Sequence, residues 1–283
     1  LAKVLTVSLA ALMVFGLASC GGGSGKVSDK DITVISREEG SGTRDAFTEL
    51  TGVLQDDVDK TVDTAEISNS TSVVTQSVAG NDAAIGYISL GSLDDTVKAV
   101  KVDGVEATVD NIKSGDYKIQ RPFNIVTKGE VKELPADFIK FIMSKDGQKI
   151  IEDEGYISVN ENAEAYKASG LKGSITLAGS TSVSPVMEVL ADKYKELNSG
   201  VTIEIQQTGS GAGIQSTTEG VCDIGMASRE LKDEETSQGL KSEEIALDGI
   251  AVIVNKDNGV EDLSMDQIMK IFTGEITNWA DVK

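Results

Sequence analysis

ITVISREEGSGTRDAFTEL, residues 32–50, is the stretch on which the fold turns. A β-branched run, Ile32–Ser36, reads as a strand; it is followed by Arg37, a turn through Ser41, Gly42 and Thr43, and then a helix. Two further stretches repeat this design. SITLAGSTSVSPVMEVL (174–190) passes through Ser180, Thr181, Ser182 and Ser184 into a helix opened by Pro185, and VTIEIQQTGSGAGIQSTTEG (201–220) turns at Ser210. Open amides and aligned peptide dipoles at a helix N-terminus favour an anion, glycine lets the backbone come close, and hydroxyls add donors without adding charge. In open α/β sheets such turns lie beyond the carboxyl ends of the strands, where ligands bind. Any one of these turns is also an ordinary cap or tight turn. Three together, with Arg37 placed to supply a forked charge-assisted contact, point to a site for a small oxyanion.

The rest of the chain reads in the same alternation. Strands are expected at Ala84–Leu90, Val97–Val102, Phe123–Thr127 and Ile245–Asn255, and helices at Ala136–Glu154 (interrupted near Gly147), Pro185–Leu197 and Met265–Phe272. This is an α/β class with mainly parallel sheets, and 283 residues suit two lobes. The acidic stretch Asp56–Asp63 and the run Lys232–Glu235 read as solvated faces. Cys222 reads as a small buried side chain.

Composition removes most alternatives. The chain has 46 acids against 26 bases, a net charge of −20, which leaves no basic face for nucleic acid. It has no histidine, which excludes a Ser-His-Asp triad and a His-ligated metal, and its two cysteines cannot build a zinc cluster. A hydrolase acting through Ser41 or Thr181 would lack an activated nucleophile. The expectation is a binding protein, not an enzyme, with no cofactor and no metal. Its anion site must work through local dipoles and few cations against an unfavourable overall field.

Residues 1–19 read as a signal peptide: Lys3, then an apolar run from Val4 to Ala18 that is short for a membrane span. Leu17-Ala18-Ser19-Cys20 resembles a bacterial lipobox, which implies cleavage before Cys20 and its acylation. Residues 20–29 then form the lipidated cysteine and a flexible glycine-rich tether.

Several motifs carry a more specific resemblance: ISREEGSGTRDAF (35–47), AAIGYISLGSL (83–93), LAGSTSVSPVMEVL (177–190), QTGSGAGIQS (207–216), CDIGMASREL (222–231) and IFTGEITNWADV (271–282). Together they are similar to PstS-type periplasmic phosphate-binding proteins of phosphate ABC importers, from about residue 30 to the end. The resemblance implies a two-lobed periplasmic-binding-protein (type II) fold with hinge strands, and an extracytoplasmic, lipid-anchored bacterial protein. It also implies a monomer that captures inorganic phosphate and hands it to membrane permease subunits. The ligand positions it implies are Arg37, Ser41, Gly42, Thr43, Thr181, Ser182, Ser210 and Ser228. Ser182 stands where an aromatic is common and would act through its backbone amide. Ser228 stands where the family has an aspartate that accepts the proton of hydrogen phosphate. A serine can still accept, but it does not repel a fully ionised anion, so sulfate, molybdate or tungstate stay open as alternatives. Glu39 is the expected partner of Arg37.

The order of the motifs departs from the family. There, the segment resembling SITLAGSTS opens the mature protein and NWADV runs on into ITVISREEGSGT. Here ITVISREEGSGT comes first, NWADV comes last, and AYKASG (165–170) is joined through Leu171-Lys172-Gly173 to the family's usual beginning. The chain therefore reads as circularly permuted. One lobe, residues 122–255, becomes continuous; the other is assembled from 30–121 plus 256–283, with crossovers near Pro122 and Asn255.

Overall fold

The computed structural model describes residues 29–282. The expected signal peptide, Cys20 and nearly all of the expected tether lie outside the described residues. The chain begins with β1 (Thr33–Arg37) and α1 (Gly42–Thr51), then a small hairpin of β2 (Leu54–Gln55) and β3 (Val58–Asp59). Next come β4 (Glu66–Ser68), α2 (Thr71–Ala79), β5 (Ala84–Ser89), β6 (Val97–Ala99), β7 (Lys101–Val102) and α3 (Val109–Lys113). A second group follows: β8 (Gln120–Lys128), α4 (Glu133–Ile142), α5 (Lys145–Asp153), β9 (Ile157–Ser158), β10 (Gly173–Gly179), α6 (Ser184–Leu197), β11 (Val201–Gln207), α7 (Ser210–Glu219), β12 (Ile224–Ala227) and α8 (Asp233–Thr236). The long strand β13 (Leu240–Asn255), β14 (Asp262–Leu263) and α9 (Met265–Phe272) complete it.

Two halves share β13, and the short β9 pairs with its other edge in the second lobe at Ala246 and Leu247. In the first lobe the order is β4-β1-β5-β13-β6, and in the second it is β11-β10-β12-β8-β13. The strands before the crossing strand are parallel, while β13 in the first half and β8 in the second run antiparallel to their neighbours. The sheets are thus parallel except where the chain returns from the other lobe. β13 pairs with β8 as far as Gly249 and with β5 from Ile250 onward, so the chain passes between the lobes there and, alongside it, at Gln120–Arg121. Asn255, the second crossover expected from the sequence, is instead the last residue of β13 and pairs with Val97 in the first lobe. The polar stretch Lys241–Glu244 hides the first half of this strand from a hydrophobic pattern, because those residues are exposed.

Each core holds a cluster of aromatic rings. In the first lobe Phe47 stacks on Tyr87 at 3.9 Å and takes the edge of Phe272 at 4.7 Å; in the second, Phe138, Phe141 and Tyr166 surround Tyr194. Trp279 packs in the first core and donates its indole N–H to Ala83 O. Cys222 is buried, and burial pushes its thiol up, away from reactivity. The helix break expected near Gly147 falls at Met143–Ser144. Ser144 caps α5, accepting from Gly147 N. Gly147 is needed for close packing instead: a Cβ there would lie 2.3 Å from Phe141 O.

Candidate anion-binding cleft

Arg37 is the last residue of β1, and two neighbours hold it. Its backbone N–H donates to Tyr87 Oη, and Ser36 Oγ shares a 2.8 Å hydrogen bond with the same phenol. Burial pushes that phenol up to about 12, so it stays protonated. The guanidinium is 2% exposed; Nε and Nη2 donate to the two carboxylate oxygens of Glu38, each at 2.8 Å. Glu38, not the expected Glu39, therefore orients Arg37. Glu39 begins the turn and stands exposed. Nη2 also reaches across to the second lobe, donating to Thr181 Oγ1 at 3.1 Å.

The turn after β1 places Ser41 as N-cap of α1, its hydroxyl accepting from Arg44 N, with Gly42 and Thr43 as the first helical residues. Thr43 Oγ1 and Ser182 Oγ lie 2.8 Å apart. The Ser182 amide donates to Ser180 Oγ, so in this arrangement the Ser182 hydroxyl, and not its amide, faces the first lobe. Ser210 opens α7 and accepts from Ser228 N at 3.1 Å. Ser180 Oγ donates to Ser228 Oγ at 3.0 Å, and Ser210 Oγ lies 3.3 Å from the same oxygen. Ser228 Oγ thus receives one proton from Ser180 and keeps a lone pair and its own proton for other partners.

The expected positions therefore meet in one buried place between the lobes. The lobes are in direct contact: Gly211 N donates to Gly40 O at 2.9 Å, and Gly42 lies against Ser210 and Ser228 so tightly that a Cβ on it would be 2.4 Å and 2.8 Å from their hydroxyls. Hydroxyls, helix N-termini and one guanidinium are what a small, acceptor-rich oxyanion requires, and the site holds no basic excess that would admit a bulky polyanion.

Sequence reasoning missed three contributions. Thr71, the first residue of α2, brings its hydroxyl to 3.2 Å from Ser182 Oγ and 3.4 Å from Thr181 Oγ1. Arg121, at the crossing between lobes, donates from Nε and Nη2 to Asp248 and from Nη1 to Ser228 O. Burial pushes Asp248 up to about 6 against the pull of Arg121, and Ser89 donates to its other oxygen. A second buried cation thus sits beside the Ser228 segment, balanced by its own acid. No local motif marks it: Arg121 and Asp248 are partners only because β8 and β13 pair in that register.

The third contribution is an ion-pair link across the cleft rim. Arg229 donates to Asp45 of α1 at 2.8 Å while its other nitrogens grip Glu235 of α8. The run Lys232–Glu235 is thus not merely a solvated face. Burial would raise the Glu235 carboxyl, but Arg229 and the Lys232 amide outweigh it and hold it below the ordinary value. Because Asp45 belongs to the first lobe and Arg229 to the second, this pair exists only when the lobes are closed. Asp45→Asn is expected to raise the ligand dissociation rate about two- to fivefold, the size of a partly exposed pair, while Glu235 keeps Arg229 paired. Stopped-flow release rates check this, and an unchanged rate would contradict it.

A family model described as PBP superfamily domain matches residues 24–146 and 164–283. The chain is 51% identical to phosphate-binding protein PstS 2 of Streptococcus agalactiae serotype V over 288 aligned residues, covering 99% of this chain and 98% of that protein. The crystal structure of a phosphate ABC transporter, phosphate-binding protein from Streptococcus pneumoniae superposes with a TM-score of 0.73 at 49% identity, covering 90% of this chain and 100% of that one. Phosphate-binding protein PstS of Bacillus subtilis matches at 38% identity over 44% of this chain and 43% of its own length. The two-lobed α/β architecture is that of these binding proteins.

Proposed function

The chain belongs to the PstS phosphate-binding proteins of the PBP superfamily, and from that we propose that it captures inorganic phosphate between its lobes and delivers it to an ABC importer. It is a binding protein, not an enzyme. The observation that carries this reading is the convergence of Arg37, Thr43, Thr181, Ser182, Ser210 and Ser228, contributed by both lobes, in one buried place. The family role of the lobes is hinge closure on a solute, and closed contact across the cleft fits that role. The working ligand set is Arg37, Ser41, Gly42, Thr43, Thr181, Ser182, Ser210 and Ser228. The site's neutral donors and single charge-assisted fork, at roughly 0.5–1.5 and 1.5–3 kcal/mol per bond, are enough to hold a desolvated dianion in an acidic protein.

The protein works outside the cytoplasm. Residues 1–19 act as its signal, Cys20 as its lipid anchor and residues 20–29 as its tether, and it engages the permease subunits as a monomer. No helix of the described residues is long and apolar enough to cross a membrane.

We also propose that the chain order is circularly permuted relative to other members. Near its ends the described chain pairs with itself: Ile32 N donates to Thr277 O, Trp279 N donates to Lys30 O, and Asp31 bridges Asn278. That is where the family order would continue without a break. The join at Leu171-Lys172 lies in an exposed loop. An alignment that follows only one half of the Bacillus subtilis protein is what exchanged halves produce, and the full-length match to the Streptococcus agalactiae protein gives that relative the same order.

Calorimetric titration of the mature protein with phosphate and then sulfate tests the ligand. Phosphate should bind at least about tenfold tighter, a difference of roughly 1.4 kcal/mol. Tighter sulfate binding would transfer the site to the other oxyanions.

A further inference from the structure

The four strand-to-helix turns that approach the cleft are related in pairs. Apart from the short β9 added beyond β13 in the second lobe, each half-sheet has the same order, with the second strand at the edge, then the first, the third, the crossing strand and the fourth: β4-β1-β5-β13-β6 and β11-β10-β12-β8-β13. In this correspondence β1–α1 matches β10–α6, and β4–α2 matches β11–α7. Thr71, the first residue of α2, therefore holds in the first lobe the place that Ser210, the first residue of α7, holds in the second. Three of the four turns already carry proposed ligand positions. The fourth carries none.

Thr71 is buried, 5% exposed, and its hydroxyl is not needed to cap its own helix, because Ser70 does that by accepting from Val73 N. Instead Thr71 Oγ1 crosses to the second lobe, 3.2 Å from Ser182 Oγ and 3.4 Å from Thr181 Oγ1. Thr43 Oγ1 is 2.8 Å from the same Ser182 oxygen, and Arg37 Nη2 is 3.1 Å from Thr181 Oγ1. Four hydroxyls and a guanidinium thus share one buried spot, and each hydroxyl has a single proton to give. Beyond its two bonds to Glu38, the guanidinium meets in this spot only the weak hydroxyl acceptor of Thr181. An oxyanion, whose unprotonated oxygens only accept, turns these protons inward at once.

We infer that Thr71 is a further phosphate-contacting residue, whose hydroxyl donates to the same phosphate oxygens that Thr181 and Ser182 serve. The inference rests on the phosphate reading above. It gives the first lobe a donor on its second helix as well as its first, so that the anion is gripped by the N-terminal turns of α1, α2, α6 and α7. A neutral donor at this place tightens the grip without adding charge that would favour sulfate over hydrogen phosphate.

The test is calorimetric titration with inorganic phosphate of the wild type, Thr71→Val, Thr71→Ser and Ser72→Ala. Valine keeps the shape and removes the hydroxyl, serine restores it, and Ser72 sits beside it in the same turn with its hydroxyl bonded to that of Ser70. Thr71→Val should weaken phosphate binding about tenfold or more, as loss of a hydrogen bond to a charged group does. Thr71→Ser should stay within about threefold of the wild type and Ser72→Ala should be unchanged, with ligand-free unfolding midpoints alike in all four. Wild-type affinity in Thr71→Val, or an equal loss in Thr71→Ser, overturns the inference alone. Failure of the wild type to bind phosphate overturns the functional reading and this inference with it.

Discussion

Gly42→Ala should give a stable protein that cannot close, with phosphate affinity lowered by about a hundredfold or more. Gly42 is the first residue of α1 and its φ is not in the left-handed region, so alanine fits the first lobe without strain. Within a helix that exchange even favours folding by roughly 0.5–1 kcal/mol. The clash comes entirely from the other lobe, where the new Cβ would stand 2.4 Å from Ser210 Oγ, 2.8 Å from Ser228 Oγ and 3.0 Å from Ser210 Cβ. Both hydroxyls sit on short side chains tied to each other and to the Ser228 amide, so neither can swing aside cheaply. Closure must then stop short, and every donor of the second lobe is held off the anion. The backbone N–H at residue 42 survives the change, which separates steric exclusion from loss of a donor. Titration with phosphate and ligand-free thermal unfolding check this together. Near-wild-type affinity would mean that the ligand does not require the lobes to meet at Gly42.

Arg37→Ala should weaken phosphate at least about a hundredfold. Two charge-assisted hydrogen bonds at roughly 1.5–3 kcal/mol each amount to about 3–6 kcal/mol, and a loss of 1.4 kcal/mol is already about tenfold. The variant also strands Glu38, whose carboxylate now meets the Arg37 fork and would otherwise face an incoming anion. Arg37→Lys should recover only part of the loss, because an ammonium keeps the charge but not the fork that spans Glu38 and Thr181. The fold should survive, since Arg37 ends its strand and the neighbouring contacts of Ser36 with Tyr87 do not depend on the guanidinium. An unchanged phosphate dissociation constant in Arg37→Ala would show that the site lies elsewhere.

The two predictions test different things. The first concerns the fit between lobes, and the second the charge that offsets the acidic field. A protein of net charge −20 can bind an anion here because its site cations are local and individually balanced: Arg37 by Glu38, Arg121 by Asp248, Arg229 by Asp45 and Glu235. Ser228 fits this pattern. It leaves the site without the additional carboxylate that the family resemblance implies at this place, and the Ser180 hydroxyl donates to its oxygen.

What could be read in the sequence was whatever is local. A strand, a Gly/Ser/Thr turn and a helix start announce themselves within twenty residues, so Arg37, Thr43, Thr181, Ser182 and Ser210 were visible before their meeting place was. α2 was not, because Thr71, Val73, Val74, Thr75 and Val78 are β-branched and mimic a strand; burial of Val74 and Val78 against the sheet overrides that preference. With α2 went Thr71. Asp45 and Arg229 are far apart in the chain and meet only through closure, so no spacing rule could pair them. The choice between Glu38 and Glu39 turned on which acid the turn leaves beside the guanidinium, and tertiary placement decides that. The first half of β13 was lost because its residues face solvent, while its buried half from Ile245 was plain.

The most direct test is a crystal structure of the mature protein grown with phosphate. The expected result is a phosphate ion between the lobes, bound by Arg37, Thr43, Thr181, Ser182 and Ser210, with Ser228 Oγ at hydrogen-bond distance and Gly40 still joined to Gly211. A phosphate held elsewhere, or by one lobe alone with the cleft open, would contradict the account.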